Sequence, residues 1–324
     1  MSSGVFALLV SGAALLGGAA PPGGIPSPPE FVAIARAQSG AWLLEGSSGY
    51  LWRQTGEDPP AQQVRLRRKS SGLLWSDVTG FAAVQDGWLI AGRKGRLERY
   101  STAGEFLRDA DAPGEIGDVV RSGSMVWALP LIAPGPARHL LLSPDGERFS
   151  YVLLQAHTED VIGTGITGVF DSAVHVTADR DEGAALVRFV GGPVAFRIRL
   201  DGSRRTVQLA YRRSARRDAM RRFEATQTDL QSYSSPARDL LVLPDGSLLV
   251  LRNREDVRTS KGLETRVGTV VDLYSQDGRH GASAELPHSA RFIVHSEGQR
   301  VVCVAADGRV LASDLGPPIA GGIQ

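Results

Sequence analysis

Six times along this chain a short apolar run turns back onto a second one, and no other sequence feature restricts the possible folds as much. The clearest copy is DLLVLPDGSLLVLRN, Asp239 to Asn253, where two apolar runs face each other across Pro244-Asp245-Gly246. Proline pre-sets the first turn residue, aspartate suits the second, and glycine takes the positive φ that a bulged hairpin turn requires. Related turns fall at Gly40, Gly87, Gly123, Asp171-Ser172 and Gly298. A second kind of turn follows further along each unit, at Gly56, Gly104, Gly146, Gly202 and Gly278, with a degenerate one at Ser313 to Pro317. Each unit therefore holds up to four short strands with tight turns between the first and second and between the third and fourth.

Four-stranded antiparallel units repeated in this way predict an all-β chain, a single closed β-propeller of six four-stranded blades, or seven if the segment 155–235 hides two. The inner runs are almost continuously apolar, as expected of strands covered on both faces by neighbouring blades, whereas outer runs alternate, as with Arg65 and Arg67 around Leu66. The last unit lacks an outer strand. Residues around Ile25 to Glu30, or the tail Ile319 to Gln324, are expected to supply it and close the ring, removing exposed edges.

On its PDG-type turns and its closing YSTAGEF and YSQDGRH hairpins, the chain after Phe31 resembles the six-bladed propellers of the NHL-like and TolB-like superfamily. These motifs are turn chemistry and imply a fold, not an activity. The Gly-His and Trp-Asp signatures of WD40 blades are absent, as are the paired glycines of kelch blades. Calcium-dependent lactonases share this architecture, and a resemblance to them would imply a central metal held by Glu, Asp and usually Asn. The sole asparagine, Asn253, falls on an excursion between strands instead of on an innermost strand, which argues against that implication.

The formal net charge of +1 and a 42% hydrophobic content describe an ordinary globular chain, not one built to coat a polyanion, so nucleic acid is not an expected partner. Of 36 basic residues only Lys69, Lys94 and Lys261 are lysine, so arginine clusters here carry less functional weight than they would elsewhere. Val5 to Leu16 form an apolar run ending in Gly18-Ala19-Ala20 before Pro21-Pro22, the small-residue pattern of a signal-peptide cleavage site, although no Lys or Arg precedes Arg36. The run is shorter than the roughly 20 residues a bilayer-spanning helix needs. The expected organisation is a signal peptide over 1–20, a Pro/Gly-rich spacer over 21–30 and a propeller over 31–324, exported to the periplasm or beyond with no integral membrane segment after cleavage. The only cysteine, Cys303, lies in an apolar run and reads as a buried, inert thiol.

Propeller topology places the connections between blades and the loops between second and third strands on one face, and that face is the expected working surface. Two excursions map to it. The insertion from Tyr211 to Pro236 carries Ala215, Ala219, Phe223 and Leu230 at helical spacing and predicts a helix over about 215–230. Its arginines Arg213, Arg216, Arg217, Arg221 and Arg222, with Arg254, Arg258 and Lys261 on the loop from Asn253 to Arg266, are the candidate binding residues for a protein or an anionic polymer. A solvated helix face with Asp218 and Arg222 paired one turn apart is the plainer reading of the same arginines. Acidic residues Asp109, Asp111, Glu115, Glu159, Asp160, Asp179, Asp181 and Glu182 are expected to give that face mixed charge.

Catalytic signatures are missing: there is no G-x-S-x-G elbow, H-E-x-x-H, P-loop or dinucleotide fingerprint, and the six histidines are spaced for no zinc site. No catalytic residue, metal ligand set or cofactor is therefore nominated. Asp77, Asp118, Asp239 and Arg291, at the starts of innermost strands, are the candidate channel-mouth residues. Their mixed signs favour mutual pairing over a metal cage, and a metal-dependent hydrolase or lactonase-like enzyme acting at that mouth is the alternative to a binding scaffold.

Overall fold

A computed structural model describes residues 29–37, 40–68, 74–92, 96–111, 116–130, 139–143, 148–153, 173–178, 184–188, 194–198, 204–209, 237–259 and 262–319. The expected signal peptide, most of the spacer, and the expected helix 215–230 with Arg213, Arg216, Arg217, Arg221 and Arg222 lie outside the described residues, as does Lys261. The described part is all-β, with one short 3-10 turn, Trp75–Asp77, before the second sheet.

Among the described residues six antiparallel sheets follow one another along the chain, each a simple meander. The first holds β1 (Phe31–Ala37), β2 (Gly40–Glu45), β3 (Tyr50–Gln54) and β4 (Ala61–Arg65), and the second β5 (Val78–Val84), β6 (Gly87–Gly92), β7 (Arg96–Ser101) and β8 (Phe106–Asp111). The third holds β9 (Ile116–Ser122), β10 (Met125–Pro130), β11 (His139–Ser143) and β12 (Ser150–Leu153), and the fourth β13 (Ala173–Ala178), β14 (Ala184–Arg188), β15 (Val194–Ile198) and β16 (Arg204–Gln208). The fifth holds β17 (Ala237–Val242), β18 (Leu248–Thr259), β19 (Gly262–Tyr274) and β20 (His280–Glu285), and the sixth β21 (Phe292–Glu297), β22 (Arg300–Val304) and β23 (Val310–Asp314).

The turn chemistry read from sequence recurs as one hydrogen-bond pattern. In Leu243–Ser247, Ser275–Arg279, Ser101–Glu105 and Ala305–Arg309 the first residue's N–H donates to the fifth residue's carbonyl, and the glycine N–H donates back to the first carbonyl. The glycine, Gly246, Gly278, Gly104 or Gly308, has φ between 81° and 83° in every case, a conformation that costs a side-chain-bearing residue. In the PDG copy Asp245 also accepts from Ser247 N–H and Oγ, both at 2.9 Å, fixing the turn from within.

Apolar second strands make sense once each face is traced to a different neighbour. On β6, Trp88 and Ile90 pack with the first sheet, while Leu89 and Ala91 pack with the third. On β18, Leu248 and Val250 face Val207 and Leu209 near the fourth sheet, while Leu249 and Leu251 face Ile293 and Val301 on the sixth. On β22, Val301 and Cys303 turn to the fifth sheet and Val302 and Val304 to the first, where they meet Phe31, Ala41 and Leu43. The period of two is intact, but both of its phases are core. Cys303 is buried in this packing and its thiol is pushed up by burial, so it is an apolar filler.

Two expectations are corrected, and a third falls largely outside the described residues. In the fourth unit Ala173–Ala178, expected as the second strand of the inner hairpin, is the first strand among the described residues and pairs with Ala184–Arg188, while Asp171-Ser172 lies outside them. Asp179, Asp181 and Glu182, expected on the working surface, lie outside the described residues. The sixth sheet has three strands among the described residues, and most of the two segments expected to complete it, 25–28 and 320–324, lies outside them. Gly316 exchanges two backbone hydrogen bonds with Ser283 on β20 of the fifth sheet, at 3.1 and 2.8 Å. Finally, Asn253 to Arg266 is not a loop, because β18 and β19 continue as paired strands to Thr259 and Gly262.

Candidate binding face

In every sheet the innermost strand carries a register shift close to its start, between Phe31/Ala33, Val78/Gly80, Ala173/His175, Ala237/Asp239 and Ile293/His295, and in the third sheet opposite Leu129/Pro130. Bulges bend a strand and re-aim its side chains. They are six local distortions at equivalent places, where the inner strands begin, and they shape the end at which the candidate mouth residues fall.

Asp239 on β17 is 4% exposed and fully engaged. Its Oδ1 accepts Leu240 N–H at 2.9 Å, and its Oδ2 accepts Ile293 N–H at 2.7 Å and the Arg36 guanidinium. Arg36 Nε also donates to Ile293 O at 2.9 Å, so one arginine from the first sheet reaches across the sixth to an aspartate on the fifth. Both carboxylate oxygens are spent on donors, which makes Asp239 a cross-sheet tie and not an open ligand position. Asp118, half-buried on β9, accepts Val119 N–H at 2.9 Å in the same way. It presses on Gly80, where an added Cβ would lie 2.6 Å from its Oδ1, so the neighbouring sheet accommodates it only as glycine. Asp77 ends the 3-10 turn, its N–H donating to Leu74 O at 2.9 Å.

Arg291, just before β21, stacks on Phe292 at 5.6 Å and lies 3.9 Å from Glu30 and 3.5 Å from Val32 O. Burial lowers its pKa; Glu30 opposes that shift, and the like charge of Arg238 adds to it. Arg238, the extra residue of the β17 bulge, is exposed, and partial desolvation of its guanidinium shifts it the same way. The structure thus brings Arg291 towards a second arginine that the sequence reading did not nominate. Among the nominated four, Asp239 takes Arg36 as its partner.

The excursion of the fifth sheet is an arm. Past Arg252↔Val270 the two strands keep pairing through Arg254↔Arg266, Val257↔Glu264, Arg258↔Leu263 and Thr259↔Gly262, interrupted by two register shifts. Since Arg252 lies opposite Ala237, the first residue of β17, everything beyond it projects past the starting end of the inner strand. Gly268 sits at the base with φ 59°, and a Cβ there would come 2.4 Å from Ala290 O. Ala290 N–H donates to Gly268 O and Leu286 N–H to Thr269 O, both at 2.8 Å, so the connection to the sixth sheet clamps the arm's root. Arg254 and Arg258 both lie on β18 within the arm.

A groove of about 670 Å³ opens where the first sheet passes to the second, lined by Gly46, Ser47, Ser48, Arg65, Arg67, Arg68, Leu74, Trp75 and Ser76. Gly49, with φ 74°, lets the β2–β3 turn lie directly on the Trp75 indole, where a Cβ would be 2.2 Å away. Leu66 N–H donates to Gly49 O at 3.0 Å and Arg67 N–H to Gly104 O at 2.7 Å, fixing the segment that carries the arginines. Sequence reasoning took Arg65 and Arg67 for the water-facing side of an outer strand. The usable signal was the uninterrupted basic run Arg67-Arg68-Lys69 followed by Ser70-Ser71-Gly72.

Another polar cluster lies inside the fifth sheet. Asp272, 1% exposed, accepts Ser283 Oγ at 2.7 Å and Tyr274 Oη at 3.3 Å, pairs with Arg252, and lies 3.2 Å from His280 Nε2. Burial alone raises its carboxyl, but the hydrogen bond from His280, the Arg252 charge and the Ser283 hydroxyl outweigh it and hold the pKa below the ordinary 3.8. The Ser-His-Asp composition does not make a nucleophile. Serine and aspartate meet the same ring nitrogen, with Ser283 Oγ 2.9 Å from His280 Nε2, and the serine proton is committed to the carboxylate. The cluster anchors the tail instead, since Ile319 N–H donates to Ser283 Oγ at 3.1 Å. No group of three or more metal-ligating side chains occurs among the described residues.

No protein-family model and no curated protein matches this chain. Solved structures do. A streptogramin B lyase is 11% identical over 92% of this chain and 86% of its own, with a TM-score of 0.52. A gluconolactonase from Xanthomonas campestris is 13% identical over 90% of this chain and 86% of its own, TM-score 0.52, and a second, putative gluconolactonase is 10% identical over 91% of each, TM-score 0.51. At such identities the likeness concerns the fold: the chain has a β-propeller architecture. No helix among the described residues is long and apolar enough to cross a membrane.

Proposed function

We propose that the chain is an exported six-bladed propeller, closed by the first sheet packing on the sixth, that works as a protein-binding scaffold through the face where its inner strands begin. Closure is supported by the cluster joining Phe31, Ala41 and Leu43 to Phe292, Val294, Val302 and Val304, by Phe31 N–H donating to Ala306 O at 2.8 Å, and by the Arg36–Asp239 tie. The observation that carries the binding role is the arm. Beyond Arg252 and past the clamp at Gly268 its strands pair only with each other among the described residues, so both outer edges offer backbone donors and acceptors to an incoming extended segment. Strand addition supplies affinity through the main chain. The arm's charges, Arg254, Arg258, Lys261 and Arg266 against Glu255, Asp256 and Glu264, then discriminate among partners. The basic insertion 211–236 joins the same end of the fifth sheet at Ala237 and extends this surface in the proposal.

Pull-down from the secreted or periplasmic fraction tests the proposal, comparing the full chain, a variant with 254–266 replaced by Asn-Gly, and a variant with Arg216, Arg217, Arg221 and Arg222 all changed to Ala. Loss of the same identified protein with the shortened arm is the expected result. Equal recovery by the full chain and the shortened arm overturns the role of the arm, and equal recovery by the arginine variant in moderate salt removes the insertion from the surface.

A further inference from the structure

The groove between the first and second sheets has a composition unlike the arm. It holds three arginines within four residues, three serine hydroxyls from two separate segments and, among its lining residues, no acid. Two flanking acids already engage groove residues: Glu45 accepts Ser47 Oγ at 2.9 Å besides Trp52 Nε1 at 3.0 Å, and Glu105 pairs with Arg67 at 2.7 Å. That last pair is exposed on both sides, so a tighter carboxylate can displace it at little cost. Arg65 is held over the Tyr50 ring at 5.5 Å, which orients its guanidinium plane without neutralising it. Also lining the groove, Leu74 is 53% exposed, one of two large apolar side chains in that state among the described residues, beside the buried Trp75. Guanidinium groups that line one groove with an exposed leucine suit a ligand that is anionic and apolar at once.

We infer that this groove binds an acidic peptide segment carrying an apolar side chain, its carboxylates taken by Arg65, Arg67 and Arg68, its backbone by the Ser47, Ser48 and Ser76 hydroxyls and its apolar residue by Leu74. The inference rests on the protein-binding reading above and gives that reading a second, sequence-selective contact on another part of the molecule. A uniformly charged polysaccharide uses the arginines but gains nothing from Leu74, and this difference separates the two classes of ligand.

Fluorescence anisotropy on the full chain tests it with a short labelled peptide of glutamates around one leucine, with the same peptide carrying serine for leucine, and with labelled dextran sulfate, all at physiological salt. The first peptide is expected to bind. Arg65→Gln with Arg67→Gln and Arg68→Gln is expected to weaken it about tenfold or more, and Leu74→Ser about fivefold, at an unchanged melting temperature. Arg67→Lys with Arg68→Lys, which keeps charge but not the planar fork, is expected to fall between. Equal binding of the leucine and serine peptides, dextran sulfate binding that is tighter and indifferent to Leu74→Ser, or no effect of the triple arginine change each overturns the inference. The arm is intact in all these variants. Partner recovery that survives the groove changes but not arm shortening sinks the groove alone, and recovery that survives both sinks the binding face as a whole.

Discussion

Asp272 shows how much a single carboxylate carries here. It is buried with Arg252, His280, Tyr274 and Ser283 around it, and removing its charge takes a carboxylate from the Arg252 guanidinium in a desolvated site. Asp272→Asn is therefore expected to cost about 3–5 kcal/mol of unfolding free energy by urea titration at neutral pH. The pH dependence follows from the depressed pKa: the linkage contributes stability above the ordinary carboxyl value of 3.8 and surrenders it as pH falls through the lower folded value. The wild type is thus expected to lose stability on acidification through that window, and the asparagine variant to show a flatter acid limb. None of this was legible in the sequence, where Asp272, His280 and Ser283 are isolated polar residues on two strands. They meet only through the β19–β20 register, Asp272 opposite Ser283.

At the scale of elements, what sequence revealed and what it hid divide along local and non-local physics. The PDG turn was readable because proline, aspartate and glycine each act within a few residues, and the observed pattern of Leu243–Ser247 is the one they demand. The fourth unit was misread because Thr167 to Phe170 and Ala173 to Ala178 are both plausible strands by composition, and only pairing with Ala184–Arg188 decides which strand comes first. The arm was hidden for a related reason. Its alternating charges look like a solvated loop until two strands are seen to hold register far from any core, with Gly268 and the clamp from Ala290 fixing its exit. Because the arm contributes pairing only to itself, replacing 254–266 by Asn-Gly is expected to change global stability by no more than about 1 kcal/mol in urea unfolding, while Gly268→Ala, forced against Ala290 O, is expected to be the more costly change. A cooperative loss of structure on shortening would mean that the arm is part of the core.

For the whole molecule, the account depends on the sheets meeting end to end, because only then do the arm, the bulged strand starts and the groove's first wall belong to one body with a common end. Repetition is local and legible in the sequence, whereas the packing of the first sheet on the sixth joins residues far apart in the chain. Phe31 is fully buried at the proposed seam, edge-on to Trp52 at 5.9 Å and in the cluster with Val302 and Val304. Phe31→Ala is expected to cost about 3–5 kcal/mol while leaving a single unfolding transition, as for a core residue and unlike a frayed terminus. The most direct test is a double-mutant cycle on Arg36→Met and Asp239→Leu, residues separated by 203 positions and joined across the sixth sheet. The closed ring predicts a coupling of about 1–3 kcal/mol in urea unfolding, with the double variant more stable than the sum of the single losses implies. Additivity within about 0.3 kcal/mol would mean that the two sheets do not meet, and would contradict the ring on which the proposed binding face stands.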